Sequence, residues 1–339
     1  MLKIEKNIDL TPYTTLKIGA PAEFFAILKS REDLEEAIAW AKKNQRSIWI
    51  LGGGSNVLIS GKVKGLVLKN EIVGMEIKKQ GRASAIVEGK SGESWTRFVS
   101  FTLKRGLSGL ENLFLIYGTV GGAPVQNIGA YGVELKDVFD SLVAIDLKTG
   151  KEKIFKSDDC RFGYRDSVFK NKLKGRYFIY SVAVKLKKSL SLKLDYGSLR
   201  DKLVEQGIKK PSPKDVAAAI MEIRNSKLPN PGVLPNAGSF FKNIEISRSA
   251  YKQLLKRYPD MPSFAATATR VKIPTGWLIE QAGFKGKRIS SVGMHEKQAL
   301  ILVNYGGANA KEAIALVKKV RAVVKKKFGL DLETEVNII

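Results

Sequence analysis

Four stretches of this chain carry the residues with the most chemistry to offer. Leu51-Gly52-Gly53-Gly54-Ser55-Asn56-Val57-Leu58 continues from an apolar run that reads as a buried strand. Glycines directly after a strand let backbone N–H groups approach an anion with no Cβ in the way. The spacing is neither the dinucleotide fingerprint nor a Walker loop, and a glycine turn alone is equally a plain loop. Residues 116–132 hold five glycines (Gly118, Gly121, Gly122, Gly129 and Gly132) and two alanines (Ala123 and Ala130), with Gln126, Asn127 and Tyr131 able to hydrogen bond. A structureless loop of that length would leave many backbone N–H groups unpaired. A ligand that accepts from them is therefore expected, and a long flat molecule with a diphosphate, such as FAD, would fit. Gly163-Tyr164-Arg165-Asp166-Ser167 sets a guanidinium beside a carboxylate, and 236–243 sets Ser239 after a glycine and before two phenylalanines. Taken alone, each has a plain reading: Arg165 with Asp166 as a surface ion pair, Ser239 as a turn residue, Glu335 as a solvated carboxylate.

The elements that must hold these groups are legible in outline. Residues 24–28 read as a buried strand, Ser30 as an N-cap with Asp33 three residues on, and Leu34, Ala37, Ile38 and Ala41 as the apolar stripe of a helix. A second strand at 48–51 completes a β-α-β unit with a parallel pair. From 66 to 186, short β-rich runs (65–68, 84–88, 141–146, 178–186) alternate with glycine turns, and one helix at 94–104 interrupts them. Beyond that, helices are expected at 216–225 and 251–258 and a strand at 299–304. Asn309 should cap a last helix with Ala313, Leu316, Val317, Val320, Val324 and Phe328 on its buried face, and Gly329 should end it. Residues 330–336 alternate as a final strand, with Leu330, Leu332, Thr334 and Val336 on one face and Asp331, Glu333 and Glu335 on the other.

Composition bounds the function. The 339 residues, 44% hydrophobic, suffice for two or three domains. No apolar run approaches the 18 or so residues of a membrane span. The first ten residues carry Lys3, Glu5, Lys6 and Asp9 and lack the apolar core of a signal peptide, so a cytoplasmic location is expected. Cys160 is the only cysteine, which excludes an intramolecular disulfide and a cysteine metal cage; His295 is the only histidine, and no metal site is expected. The net charge of +25 invites a nucleic-acid reading. The excess, however, is spread in pairs such as Lys42-Lys43 and Lys318-Lys319, with no nucleic-acid motif, so a lysine-rich solvated surface is favoured and no nucleic-acid partner is expected.

As an ordered set, these stretches resemble the UDP-N-acetylenolpyruvoylglucosamine reductase (UDP-N-acetylmuramate dehydrogenase, MurB) family. The matching segments are TTLKIG at 14–19, LGGGSNVL at 51–58, GLENL at 109–113, GTVGGAPVQNIGAYGVEL at 118–135, CRFGYRDS at 160–167, KLPNP at 227–231, NAGSFFKN at 236–243, GWLIEQAG at 276–283, HEKQALILVN at 295–304 and LETEV at 332–336. They run the length of the chain. The resemblance implies an α+β fold: a two-lobed FAD-binding region of the vanillyl-alcohol-oxidase (PCMH) kind, plus an α+β substrate-binding domain. It places the first lobe at 1–66, completed by a C-terminal strand at 330–339, the second lobe at 67–222 and the UDP-sugar domain at 223–329. It implies that NADPH reduces bound FAD and that the flavin then reduces the enolpyruvyl ether of UDP-N-acetylglucosamine, with no membrane partner and a monomeric state.

By resemblance, FAD lies on Gly52, Gly53, Gly54, Ser55 and Asn56 and on Gly118, Gly121, Gly122, Ala123, Gln126, Asn127, Gly129, Ala130, Tyr131 and Gly132. Arg165, Ser239 and Glu335 are implied as catalytic. Tyr196, Lys227, Asn243, Lys272 and Gln298 are implied as substrate contacts, Tyr196 being the mark of one subtype. Tyr117 departs from the family, where proline is usual, and the high positive charge is no family trait. Two other readings stay open at this level: an FAD-dependent alcohol or sugar oxidase on the same scaffold, and a basic nucleic-acid-binding protein.

Overall fold

Ser30 ends the strand Pro21–Leu28 and starts the helix Arg31–Lys43. Its hydroxyl accepts from the Asp33 N–H (3.2 Å), and the Asp33 carboxylate accepts from the Ser30 N–H (3.1 Å). This reciprocal pair satisfies two of the N–H groups a helix start leaves orphaned. Leu34, Ala37, Ile38 and Ala41 then face inward, as their spacing predicts. The protein is described here by a computed structural model covering residues 1–189 and 192–339, and it forms two compact units.

The first unit comprises Met1–Asp9, Pro21–Gly53 and Lys62–Ser226. One of its sheets has the order Glu5–Asp9, Pro21–Leu28, Val63–Asn70, Ile48–Leu51. The two strands expected to pair directly do not touch. Val63–Asn70 lies between them, parallel to both. This strand is the most completely buried of the four, and a strand with apolar residues on both faces belongs in the middle of a parallel sheet. A second, antiparallel sheet has the order Glu152–Phe155, Phe139–Asp146, Tyr177–Lys187, Ser84–Lys90, Met75–Gln80. The helix Trp95–Lys104 buries Trp95, Phe98, Val99 and Leu103 in the same core. The Trp95 indole N–H, which could not be left unpaired there, donates to the Leu113 carbonyl at 2.9 Å. Cys160 is part of this core, and burial pushes its thiol up to about 12. It is a packing residue with no thiolate available for chemistry near neutral pH.

The second unit comprises Leu10–Ala20, Gly54–Gly61 and Lys227–Ile339. One sheet has the order Asn236–Ser239, Ile301–Asn304, Val292–Met294, Arg288–Ile289, and a smaller one has Ile244–Ser247, Arg270–Ile273, Phe264–Ala265. The helix Ala310–Phe328 follows its sequence signals closely. Asn309 and Glu312 form a capping box, and Gly329 adopts φ +73° and closes the end through its N–H to the Lys325 carbonyl. The helix expected at 251–258 instead spans Arg248–Leu255, because Ser247 caps it by accepting from the Ala250 N–H.

The last segment differs more from expectation. Residues 330–336 do not form a regular strand: Thr334 makes one isolated bridge to Phe241, and the regular pairing is a short parallel ladder of Asn337–Ile338 with Val57–Leu58. The alternation has another source. Leu332 and Val336 are anchored in the core while Asp331 and Glu333 face solvent, which an extended segment achieves without a continuous ladder. Among the described residues, no helix is long and apolar enough to cross a membrane.

His295 is 7% exposed, its Nδ1 has no partner, and burial lowers its pKa below the ordinary 6.5. Below about pH 6.5 the unfolded chain therefore takes up a proton that the folded chain refuses. Stability should be full above that pH and decline as the pH falls toward the depressed folded value. With no other histidine in the chain, a pH series of urea midpoints should show this decline in the native protein and a flatter profile in H295Q.

Candidate functional site

The two glycine motifs, far apart in sequence, meet in the first unit. A Cβ on Gly53 would stand 3.1 Å from the Gly118 Cα, one on Gly52 would stand 2.9 Å from the Thr119 hydroxyl, and one on Gly121 would stand 2.5 Å from the Ser91 Cβ. The glycines are thus required first by close packing, against backbone at Gly53 and against side-chain atoms at Gly52 and Gly121. Sequence reasoning assigned the N–H groups of 116–132 to a ligand, and much of that argument is overturned. The N–H groups of Val120, Gly121, Gly122, Ala123 and Ile128 bond to the carbonyls of Glu93, Ser91, Thr119, Val120 and Ala123. The loop is a pair of short 3-10 turns, Val120–Gly122 and Pro124–Gln126, that pairs its own backbone. Open backbone remains at Gly122, whose nearest side-chain atom would be 3.8 Å from a Cβ, and at Gly132, which has none within 4 Å.

Asn127 braces this loop. Its Nδ2 donates to Glu134 (2.9 Å) and to the Gly163 carbonyl (3.0 Å), and its Oδ1 accepts from the Lys136 N–H (3.0 Å). Gly129–Ala130 and Val133–Glu134 form a hairpin around Tyr131 (φ +48°) and Gly132 (φ +78°), the two left-handed residues a tight two-residue turn demands. Arg165 sits at φ +51°, inside a turn closed by reciprocal backbone bonds between Gly163 and Asp166. Its Nη2 donates to the Gly129 carbonyl at 2.5 Å, which ties the catalytic candidate to the glycine loop. Tyr196 caps the helix Gly197–Glu205, and its ring meets Tyr131 edge-on at 5.3 Å. Gln126 is half-buried at the end of the second turn.

Sequence reasoning missed Arg224, for which one arginine among 58 basic residues gives no spacing signal. It lies on the helix Pro213–Lys227, and its Nε is shut from solvent with no hydrogen-bond partner. Burial lowers its pKa, opposed by the phenols of Tyr131 and Tyr117. Burial in turn pushes the Tyr131 phenol up, opposed by Arg224. Open glycine backbone at Gly132 and a half-buried cation that meets the neighbouring Tyr131 suit a cofactor that carries a diphosphate, so the residues present fit FAD.

The second unit assembles the other candidates. Gly54 (φ +64°) is pressed against Tyr13, whose carbonyl oxygen would be 2.0 Å from an added Cβ. Thr15 joins this turn to the serine strand, its N–H donating to the Gly54 carbonyl (3.1 Å) and its hydroxyl to the Asn236 carbonyl (2.6 Å). Gly54→Ala should therefore cost more than about 2 kcal/mol in a denaturant titration. Gly61→Ala, with nothing within 4 Å of its Cβ, should stay within about 0.5 kcal/mol.

Ser239 is exposed at the end of Asn236–Ser239, just after Gly238 (φ +69°) and a register shift against Ile301–Asn304. The Phe240 carbonyl next to it accepts the Glu335 N–H at 2.9 Å, so the backbone sets Glu335 beside the serine strand. Asn56 holds the same segment, its Nδ2 donating to the Glu335 carbonyl (3.4 Å) and its own carbonyl accepting the Asn337 N–H (3.1 Å). Ser55 is half-buried in the same turn. Asn243 accepts the Thr275 N–H (3.0 Å) at the start of the helix Thr275–Gln281, and Gln298 lies over Gly276 of that helix, its Oε1 only 2.8 Å from where a Cβ would be. Lys272 is paired with Glu245 across two strands at 3.3 Å. Lys227 is the exposed last residue of its helix.

Residues 22–157 match the family model described as an FAD binding domain, and 230–339 match the C-terminal domain of UDP-N-acetylenolpyruvoylglucosamine reductase. The chain is thus an FAD-dependent oxidoreductase with an α+β fold. UDP-N-acetylenolpyruvoylglucosamine reductase of Pseudomonas savastanoi pv. phaseolicola is 46% identical over 99% of both chains, and that of Flavobacterium johnsoniae is 44% identical over the whole of both. This chain belongs to the UDP-N-acetylenolpyruvoylglucosamine reductase family. The crystal structure of the Thermus caldophilus reductase shares the fold, with a TM-score of 0.68 and 23% identity over 100% of this chain and 99% of that one.

Proposed function

We propose that this chain reduces the enolpyruvyl ether of UDP-N-acetylglucosamine to the lactyl ether, UDP-N-acetylmuramate, in peptidoglycan precursor synthesis, with NADPH as the reductant. Full-length identity of 46% to a reductase of that name is the observation that carries the reading. Bound FAD would supply a two-electron relay between NADPH and the vinyl group. The lobes at 1–66 and 67–222 are assigned to the flavin and 223–329 to the UDP-sugar.

The chain's own residues do the rest. Hydride at the terminal vinyl carbon pushes negative charge toward the substrate carboxylate. The Arg165 guanidinium, fixed by its bond to Gly129, binds that carboxylate, and Glu335 shares a hydrogen bond with it as the charge develops. Ser239 donates the proton to the carbon bearing the ether oxygen. Lys227 and Asn243 tune the hydroxyl, and Asn243, whose Oδ1 is held by Thr275, offers its Nδ2. Tyr196 covers the sugar nucleotide and Gln298 contacts it. Lys272 would meet a phosphate only by exchanging Glu245 for it. Supporting the glycine motifs as the cofactor site are their mutual packing, Arg165's tie to Gly129 and the cation at Arg224. A monomer acting in the cytoplasm, without nucleic acid, completes the reading.

Steady-state NADPH consumption should require the enolpyruvyl sugar, and mass spectrometry should find a product heavier by two hydrogens. Consumption that ignores the sugar and instead draws on oxygen would overturn the assignment.

A further inference from the structure

We propose that the Arg224 guanidinium is a preformed seat for an anionic oxygen of bound FAD. The inference rests on the flavoenzyme reading above. Charged side chains taken from water are normally paired, because an uncompensated buried ion costs several kcal/mol. Arg224, which is half-buried, meets that demand only in part. Its Nε is sealed from solvent and unbonded, a hydrogen bond joins the guanidinium to the Tyr131 phenol, and the side chains that act on its charge are this phenol and that of Tyr117, with no carboxylate among them. A phenol is neutral near pH 7 and cannot balance a guanidinium.

The surroundings are rigid. Asn112, itself buried, donates its Nδ2 to the Tyr131 carbonyl (2.9 Å) and to the Lys193 carbonyl (2.9 Å), which fixes the hairpin turn on which Tyr131 stands. The Tyr131 ring packs with Leu199, Leu203, Val216, Ile220 and Ile223, so the hairpin and the arginine's own helix share one small core. Arg224 therefore cannot easily leave to find an acceptor, and an acceptor must come to it. The FAD-binding match, 22–157, includes both tyrosines, which points to the cofactor over the sugar nucleotide.

Two oxygens of FAD share this chemistry. The diphosphate is anionic in both redox states, whereas the ring's acceptor oxygen gains charge only on reduction. They separate experimentally in Arg224→Gln and in Arg224→Lys, which keeps the charge and the stem. FAD would be stripped from the full-length protein and from each variant, its rebinding followed by flavin fluorescence, and the midpoint potential of the reconstituted proteins measured. If the seat takes the diphosphate, oxidised FAD should bind about tenfold or more weakly in R224Q, with partial recovery in R224K. If it takes the ring, oxidised FAD should bind within about threefold of the unmodified protein while the potential falls, and falls less in R224K. Unchanged affinity and potential in both variants would overturn the proposal, as would a rise in KM for the UDP-sugar alone. Should R224Q not fold, R224K decides in the same way. A native chain that binds no FAD would instead strike the flavoenzyme reading, a separate failure visible before any variant is made.

Discussion

Replacing Ser239 by alanine should leave reduction of the bound flavin by NADPH within about twofold, while slowing its reoxidation by the enolpyruvyl sugar about 10²- to 10⁴-fold. The two half-reactions differ in what they ask of the protein. Hydride transfer from NADPH needs no proton on carbon; saturating the vinyl ether does. Ser239 is the exposed hydroxyl at a break in register, where Gly238 at φ +69° turns the strand and the Phe240 carbonyl holds Glu335 alongside. Removing one oxygen atom from an exposed position costs little stability, so a kinetic loss could not be blamed on unfolding. Stopped-flow measurement of each half-reaction decides the matter. An equal fall in both would remove Ser239 from the proton-donor role.

Arg165→Lys should also slow reoxidation, by about 10²- to 10³-fold, but with a different signature. Lysine keeps the charge and loses the planar fork that can meet a carboxylate with two bonds while a third reaches the Gly129 carbonyl. KM for the sugar should therefore rise together with the loss in rate, whereas S239A should change rate with little effect on KM. Because Arg165 also tethers the 129–134 hairpin, FAD affinity should weaken modestly in R165K and not in S239A. A variant with unaltered KM and rate would show that Arg165 serves only its turn.

Much of this was legible in the chain's local patterns. The capping boxes at Ser30–Asp33 and Asn309–Glu312 and the terminating Gly329 are short-range signals, set by backbone groups a few residues away, and they fix helix ends closely. The glycine motifs were likewise visible, whereas Ser239 and Arg165 stood out only through the resemblance to the family. What escaped depends on distant partners. Val63–Asn70 separating its neighbours, and 330–336 making one bridge where a ladder was expected, are decided by competition among strands. The loop at 118–132 satisfies its own N–H groups through Ser91 and Glu93, which no reading of the loop alone could supply. Thr15 and Asn56 look like ordinary polar residues until Thr15 reaches the Asn236 carbonyl and Asn56 the Glu335 carbonyl. Arg224 is the clearest case: its sealed, unbonded Nε is a property of the folded core, and nothing in its sequence neighbourhood distinguishes it from the other basic residues.

The most direct test of the central claim is an anaerobic visible spectrum of the purified, FAD-loaded protein, taken before and after NADPH and then after the enolpyruvyl ether of UDP-N-acetylglucosamine. The account predicts flavin bands that bleach with NADPH and return in full when one equivalent of the sugar is added. Bands that bleach and stay bleached with the sugar, returning only when air is admitted, would contradict it.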